Sequence, residues 1–272
     1  PYLDKVVYRI IPSDSSRVAA FEKGEIDYHN WYGFPNNEYA RMSKLPGVKS
    51  ALLDHPFNSV LGYQINLLKP VLDNVKVRQA MAYAMDKKEI IEKALFGLGE
   101  VEYSCLSSGM KWCWNPNVPK YETNLEMANK LLDEAGYPKG ADGIRFKTSL
   151  ICDRGGPEHY KASEVIALQL KQVGIDVLVR PMERAVYEKM VGDWDYDLFI
   201  SRTPTGPDPS MGTSVIWGKN IKKVYGANCN NYNNSRFDWL HEHAIKELDR
   251  KKRAEYYYEM QEIAVRDLPS IY

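Results

Sequence analysis

The sequence predicts an α/β fold, a mixed sheet flanked by helices. Three observations lead there. Strand-like and helix-like segments alternate over residues 140–201. A strand–helix–strand pattern fills the first 30 residues. Glycines stand where helical periodicity ends, at Gly24, Gly136 and Gly174. Such alternation favours helices laid on the faces of a sheet.

Element by element, Lys5–Ile11 is rich in β-branched residues and reads as a strand. Ser13–Lys23 reads as a helix with Ser13 or Asp14 as N-cap, because a side-chain oxygen there accepts from free backbone N–H groups. Ile26–Tyr28 opens a second strand, which completes a β-α-β unit. Asn36–Leu45 is a helix stopped by Pro46-Gly47, and Val48–Leu53 and Val60–Leu67 are strands. After Lys69-Pro70, apolar residues at helical spacing predict a helix over Val75–Phe96, with Asp86 able to cap a second helix inside it. Residues 97–121 carry no period and read as a long loop, a length usually tied to function or held by contacts. Asn124–Ala135 is a helix, Phe146–Cys152 a strand, Glu158–Val173 a helix, Ile175–Arg180 a strand, Ala185–Gly192 a helix and Asp197–Ser201 a strand. Residues 203–234 read as loop and Phe237–Leu268 as one or two helices. The final Asp267–Tyr272 reads as a strand onset with nothing to pair it.

Composition narrows the function classes. The 272 residues carry 36 Lys+Arg against 36 Asp+Glu, a formal net charge of zero. That balance argues against a general nucleic-acid binder, which needs a basic excess to displace counterions. A hydrophobic fraction of 44% excludes a disordered chain. No apolar run approaches the roughly 18 residues of a membrane span. The first residues read as the inside of a domain, so the chain is expected to be a piece of a longer protein. Of four cysteines, Cys105 and Cys113 are eight apart in a loop and are a candidate disulfide if the protein is exported; four buried thiols is the alternative.

The chain lacks Gly-x-Gly-x-x-Gly, the Walker phosphate loop, Gly-x-Ser-x-Gly and His-Glu-x-x-His. His241-Glu242-His243 falls on a helix, where neighbours two apart point to different sides, so a solvated helix face is expected and no metal. Asp193, Asp195 and Asp197 read as a turn entering a strand. Asp208 lies between Pro207 and Pro209, which stiffen its turn. Aromatic residues concentrate in loops, among them Trp31, Tyr32, Trp112, Trp114, Trp217, Tyr225 and Tyr232. With Arg202 and Asp208 they read together as the wall of a ligand cleft.

Specific runs carry a family resemblance. Tyr63-Gln64-Ile65-Asn66-Leu67, followed by the continuous run from Lys69 to Ile91 with Val77-Arg78-Gln79-Ala80-Met81 and Met85-Asp86 within it, resembles the central signature of the family 5 extracellular solute-binding proteins. These are the dipeptide-, oligopeptide- and nickel-type receptors of ABC importers. Arg17–Asp27, Ala128–Tyr137, Leu170–Val177 and Tyr196-Asp197-Leu198 match in the same order. The resemblance implies a periplasmic-binding-protein-like type II lobe plus a partial first lobe, in a two-lobed extracytoplasmic receptor. Such a receptor closes on a small solute and docks on a membrane permease as a monomer, without cofactor or catalysis. On that basis residues 1–60 are a segment of lobe one, 61–70 a hinge crossing, 71–268 lobe two and 269–272 the start of the return. Peptide-binding members place an Asp four residues before the Pro of the turn after the Tyr-Asp strand; here that position, counted from Pro209, is Thr205. A neutral hydroxyl cannot hold an ammonium as a carboxylate does, while Arg202 offers a planar fork suited to a carboxylate. The expected ligand-binding residues are Arg202, Thr205, Asp208, Trp217, Tyr225 and Asn228, with Trp112 and Trp114. The expected solute is a peptide, an oligosaccharide or a carboxylate-bearing ligand. Two rival readings are a hydrolase using Asp195, Asp197 or Asp208, and a ligand-independent interaction or chaperone module.

Overall fold

The computed structural model describes residues 2–29, 35–51 and 59–272. Residues 1–52 and 53–272 form two compact units.

In the first unit, α1 (Asp14–Glu22) starts where expected. Ser13 adopts extended backbone and its hydroxyl accepts from the Ser16 amide. Gly24 ends the helix turn with φ +70°, a conformation cheap only for glycine. A 3-10 turn over Asn36–Glu38 and α2 (Tyr39–Met42) follow. The expected β-α-β unit is not formed: residues 5–11 and 26–28 carry no strand. Val7 is 71% and Ile10 91% exposed, and no strand among the described residues pairs with them. β-branched composition expresses itself as strand only where a ladder receives it. Residues 48–51 are likewise not strand, and the rest of the expected strand at Val48–Leu53 lies outside the described residues, as do Trp31 and Tyr32.

The second unit is a five-stranded mixed sheet in the order β3-β2-β4-β1-β5. The strands are β1 (Ser59–Ile65), β2 (Phe146–Asp153), β3 (Ile175–Met182), β4 (Leu198–Pro204) and β5 (Ser270–Ile271). β2 runs parallel to β3 and β4, and β1 runs antiparallel to β4 and β5. The chain's last strand onset is thus paired, contrary to the sequence reading. Its partner β1 lies more than 200 residues upstream, a distance no local pattern reveals.

The helix expected over Val75–Phe96 breaks as its alternative foresaw, into α3 (Val75–Ala84) and α4 (Lys87–Leu95), because the Asp86 carboxylate accepts from the Glu89 amide. α5 (Leu125–Glu134) is capped by Asn124, and α6 (Pro157–Gln172) and α7 (Arg184–Gly192) follow β2 and β3. One sheet face, through Tyr63, Ile65, Leu150, Leu198 and Ile200, packs on α3, α5 and α6. The other face meets α7 and, through the loops, α8 (Ser210–Ser214), α9 (Ser235–Ala244) and α10 (Arg250–Asp267). α8 interrupts the stretch expected to be loop.

Two buried polar side chains hold this arrangement. Arg78 donates from α3 to the carbonyls of Leu72, Asp73 and Asp267, covering the C-terminal end of α10 where carbonyls lack helical partners. Gln261, fully buried on α10, donates to the Cys113 and Tyr257 carbonyls and accepts from Ser104 and the Asn115 amide. The long loop 97–121 is therefore held by contacts. The four cysteines are free, buried thiols, so the Cys105–Cys113 bridge is not formed and the alternative of buried thiols is the one observed. Burial pushes Cys105 and Cys113 up to about 12.

Candidate ligand-binding edge of the sheet

Because β2, β3 and β4 are parallel, their carboxyl ends, at Asp153, Met182 and Pro204, share one edge. In open α/β sheets ligands bind in the crevice outside such ends. Each strand delivers charge there. β2 ends at Asp153 and turns through Arg154-Gly155-Gly156 into α6, whose first turn carries Glu158 and His159. β3 leads into α7, which begins with Arg184. β4 carries Arg202 two residues before its end at Pro204, opposite Leu61 on β1.

These groups pair with one another. Arg202 Nη2 lies 3.5 Å from Glu158 Oε1, with both side chains about three-tenths exposed (30% and 28%). Arg184 lies 3.1 Å from Asp153 and 2.6 Å from Glu188, and Arg154 lies 2.9 Å from Glu183. His159 sits within the electrostatic reach of Glu158, Arg202, Asp153 and Arg184; burial pushes its pKa down and the acids only partly restore it. Its Nε2 is buried without a hydrogen-bond partner. Tyr225 joins the group through Arg184, whose guanidinium stands 5.2 Å from its ring centre. The edge thus offers guanidinium forks, carboxylates and an imidazole within one patch of mixed charge.

Other expected residues fall into separate groups. Asp208 accepts from Arg253 at 2.8 Å, and Arg253 lies over the Trp112 ring at 5.8 Å, so Asp208 and Trp112 share a neighbourhood. Trp217 stacks on His241 at 4.7 Å, and Trp114 bonds to the Glu102 carboxylate. Thr205 and Asn228 are buried. The Asn228 amide donates to the Gly218 and Tyr232 carbonyls, which fastens the loop between α8 and α9.

His241 departs from the solvated face expected of it. It is buried, with Nδ1 2.9 Å from the Thr213 hydroxyl, and burial pushes its pKa down to about 4. His243 is exposed and stacks on Trp239. Among the described residues no group of three or more His, Cys, Asp or Glu could hold a metal.

Of the acids proposed for hydrolysis, Asp197 and Asp208 stand at opposite ends of β4. Asp197 precedes β4 and accepts from the Ser149 amide and hydroxyl at 2.9 and 2.7 Å, whereas Asp208 follows β4. A strand of seven residues, about 23 Å, separates them, far beyond the spacing of paired catalytic carboxyls. Sequence reading missed Asp153, Glu158, His159 and Arg184. The signal available was the Gly155-Gly156-Pro157 turn from strand to helix.

The description "Bacterial extracellular solute-binding proteins, family 5 Middle" matches residues 1–223. The chain is 30% identical to the oligopeptide-binding protein AppA of Bacillus subtilis and 27% identical to the dipeptide-binding protein of Escherichia coli, covering 99% and 100% of this chain and 50% of each relative. It spans about half the length of the curated relatives it matches. Among solved structures it is similar to the periplasmic binding protein DppA of Helicobacter pylori in complex with the peptide STSA, at 28% identity and TM-score 0.86, covering 99% of this chain and 51% of that one. It is also similar to B. subtilis AppA in complex with a nonapeptide, at 28% identity and TM-score 0.82, covering 99% and 54%. A match over most of the chain in sequence and in fold makes this chain a member of the family 5 bacterial extracellular solute-binding proteins.

Proposed function

We propose that this chain is part of the substrate-binding component of an ABC importer, and that it grips a small carboxylate-bearing solute such as a peptide without transforming it. The carrying observation is the group Arg202, Glu158, His159, Asp153 and Arg184 at the common carboxyl edge of three parallel strands. A solute carboxylate can replace Glu158 on the Arg202 fork, exchanging one charge-assisted pair for another. Tyr225 supplies an apolar face beside it. On this reading residues 1–60 belong to lobe one, 61–70 and 269–272 to the crossings and 71–268 to lobe two; the receptor works outside the cytoplasm as a monomer, with a membrane permease as partner. Closure follows from differential affinity of the solute for the closed state. The relatives named for oligopeptide and dipeptide binding support a peptide-like solute.

The test is native mass spectrometry of the full-length receptor as purified, followed by calorimetry with the solute it releases. Arg202→Gln should weaken binding by about tenfold or more, on the order of 1.5–3 kcal/mol for a charge-assisted pair. A saturating solute should add about 3–4 kcal/mol of stability. No bound solute and no thermal stabilisation would support the interaction or chaperone reading, and turnover of peptides or glycosides would support an enzyme.

A further inference from the structure

Asp208 stands in the turn that leaves β4 and was expected to meet the solute, yet its carboxylate is engaged from within the protein. Its Oδ1 accepts from Arg253 Nη2 at 2.8 Å and from the Ser210 amide at 2.9 Å. Arg253 has further contacts: Nε donates to the Ala244 carbonyl at the end of α9 at 2.8 Å, and Nη2 to the Tyr257 hydroxyl at 3.1 Å. Its guanidinium also lies 5.4 Å from the Tyr257 ring and 5.8 Å from that of Trp112, with Arg250 on Trp112 at 4.9 Å. One side chain on α10 therefore touches the end of α9, the turn before α8 and the long loop 97–121. Only 20% of that side chain is exposed, so its planar fork is held in a fixed geometry.

We propose that Arg253 is the positioning residue of the turn after β4, and that Asp208 anchors that turn instead of contacting the solute. The inference rests on the reading of this edge as the solute site, since it is the segment following Arg202 that becomes fixed. Burial pushes the Asp208 carboxyl up, but Ser210 and Arg253 outweigh it and hold it below its ordinary value, consistent with a carboxylate already satisfied.

The test uses the full-length receptor, first without solute. Hydrogen exchange of residues 205–214 is compared for wild type, Arg253→Gln, Arg253→Lys, Asp208→Asn and the Arg253→Gln/Asp208→Asn double variant, with the β2 amides as internal control. Arg253→Gln and Asp208→Asn should each speed exchange of 205–214 by about fivefold, with no further gain in the double variant and unchanged β2 protection. Arg253→Lys, which keeps the charge, should recover part of the loss. Unchanged exchange in the single variants, or additive effects in the double, would overturn the proposal. Calorimetry with trialanine and N-acetyl-trialanine then separates the two readings. An Asp208→Asn variant that loses tenfold affinity for trialanine while its exchange stays wild-type makes Asp208 a solute contact and overturns the anchor. Binding of neither probe counts against a peptide solute, and the anchor is then decided by the exchange data alone.

Discussion

At the scale of single residues, α4 and the long loop 97–121 bring together two ionisable groups whose charges the fold penalises. Lys87, the first residue of α4, donates to the Glu102 carbonyl at 2.9 Å and lies 4.0 Å from the centre of the Tyr103 ring. The Glu102 carboxylate accepts from the Ser108 amide at 2.6 Å and from Trp114. Burial pushes Lys87 down to about 7, partly offset by Glu102 and Glu122. Burial pushes Glu102 up to about 7, against Ser108, Trp114 and Lys87. The signs oppose each other. Between its ordinary value of 4.5 and about 7 the folded state holds a Glu102 proton that the unfolded chain has lost, so this group's contribution to stability falls as pH rises through that window. Between about 7 and 10.5 the unfolded chain holds a Lys87 proton that the folded state lacks, so stability rises with pH there. The combined penalty is greatest near neutrality. Melting temperatures of wild type minus those of a Lys87→Met/Glu102→Gln variant, taken at pH 5, 7 and 9, should therefore be most negative at pH 7. A difference independent of pH would show that the pair is not penalised as described. Nothing in the sequence flagged these two, because burial of a charge depends on what the loop packs against. The Asp86 cap, by contrast, was legible because a cap is a bond between near neighbours.

At the scale of elements, α8 shows how one small residue sets a packing distance. A Cβ at Gly212 would lie 2.6 Å from the Cys105 carbonyl oxygen and 2.8 Å from Leu106 Cδ2. The first of these atoms is backbone and cannot swing aside. Gly212→Ala should push α8 off the loop and cost about 1–3 kcal/mol in a urea titration, the usual range for overpacking; a neutral result would mean the loop yields. Gly24, with nothing within 4 Å of its Cβ position, is constrained by φ instead of by space. Helices and the strands that alternate with them were legible because their periodicity is local. The strands expected in residues 5–11 and 26–28 failed for the complementary reason: composition states a preference, and pairing decides it. The site was half legible. Arg202 was singled out because it follows a recognisable strand signal. The charges around it were not, because Asp153 and Glu158 follow β2 and Arg184 follows β3, and they approach Arg202 on β4 only through the parallel order of the three strands.

At the scale of the molecule, the unit of residues 53–272 is entered through β1 and left through β5, two neighbouring antiparallel strands. β5 has only two residues, so backbone pairing alone would hold it weakly. One further backbone bond runs from the Ile65 amide to the Pro269 carbonyl at 3.1 Å. Side chains add to it: the Asn230 side-chain amide donates to the Pro269 and Ile65 carbonyls, and the Ser270 hydroxyl donates to the Gln64 side-chain oxygen. Ile271 is 2% exposed within the main core. The Tyr272 ring packs against β1, where a Cβ at Gly62 would stand 2.8 Å from it. Removing residues 269–272 would strip β1 of one partner and leave Asn230 and Gln64 buried with unmet polar groups. Burial of one isoleucine contributes about 2–3 kcal/mol, and each orphaned buried group costs about 1–3. The truncated chain should therefore lose on the order of 4–9 kcal/mol, a large fraction of a typical domain's stability. Gly62→Ala should reproduce the Tyr272 share of that loss while leaving the β5 hydrogen bonds in place. Urea titration of the two variants gives the comparison: if truncation costs no more than Gly62→Ala, β5 adds nothing to the sheet beyond the Tyr272 contact; if it costs several times more, residues 269–272 hold β1 in place across more than 200 positions of sequence.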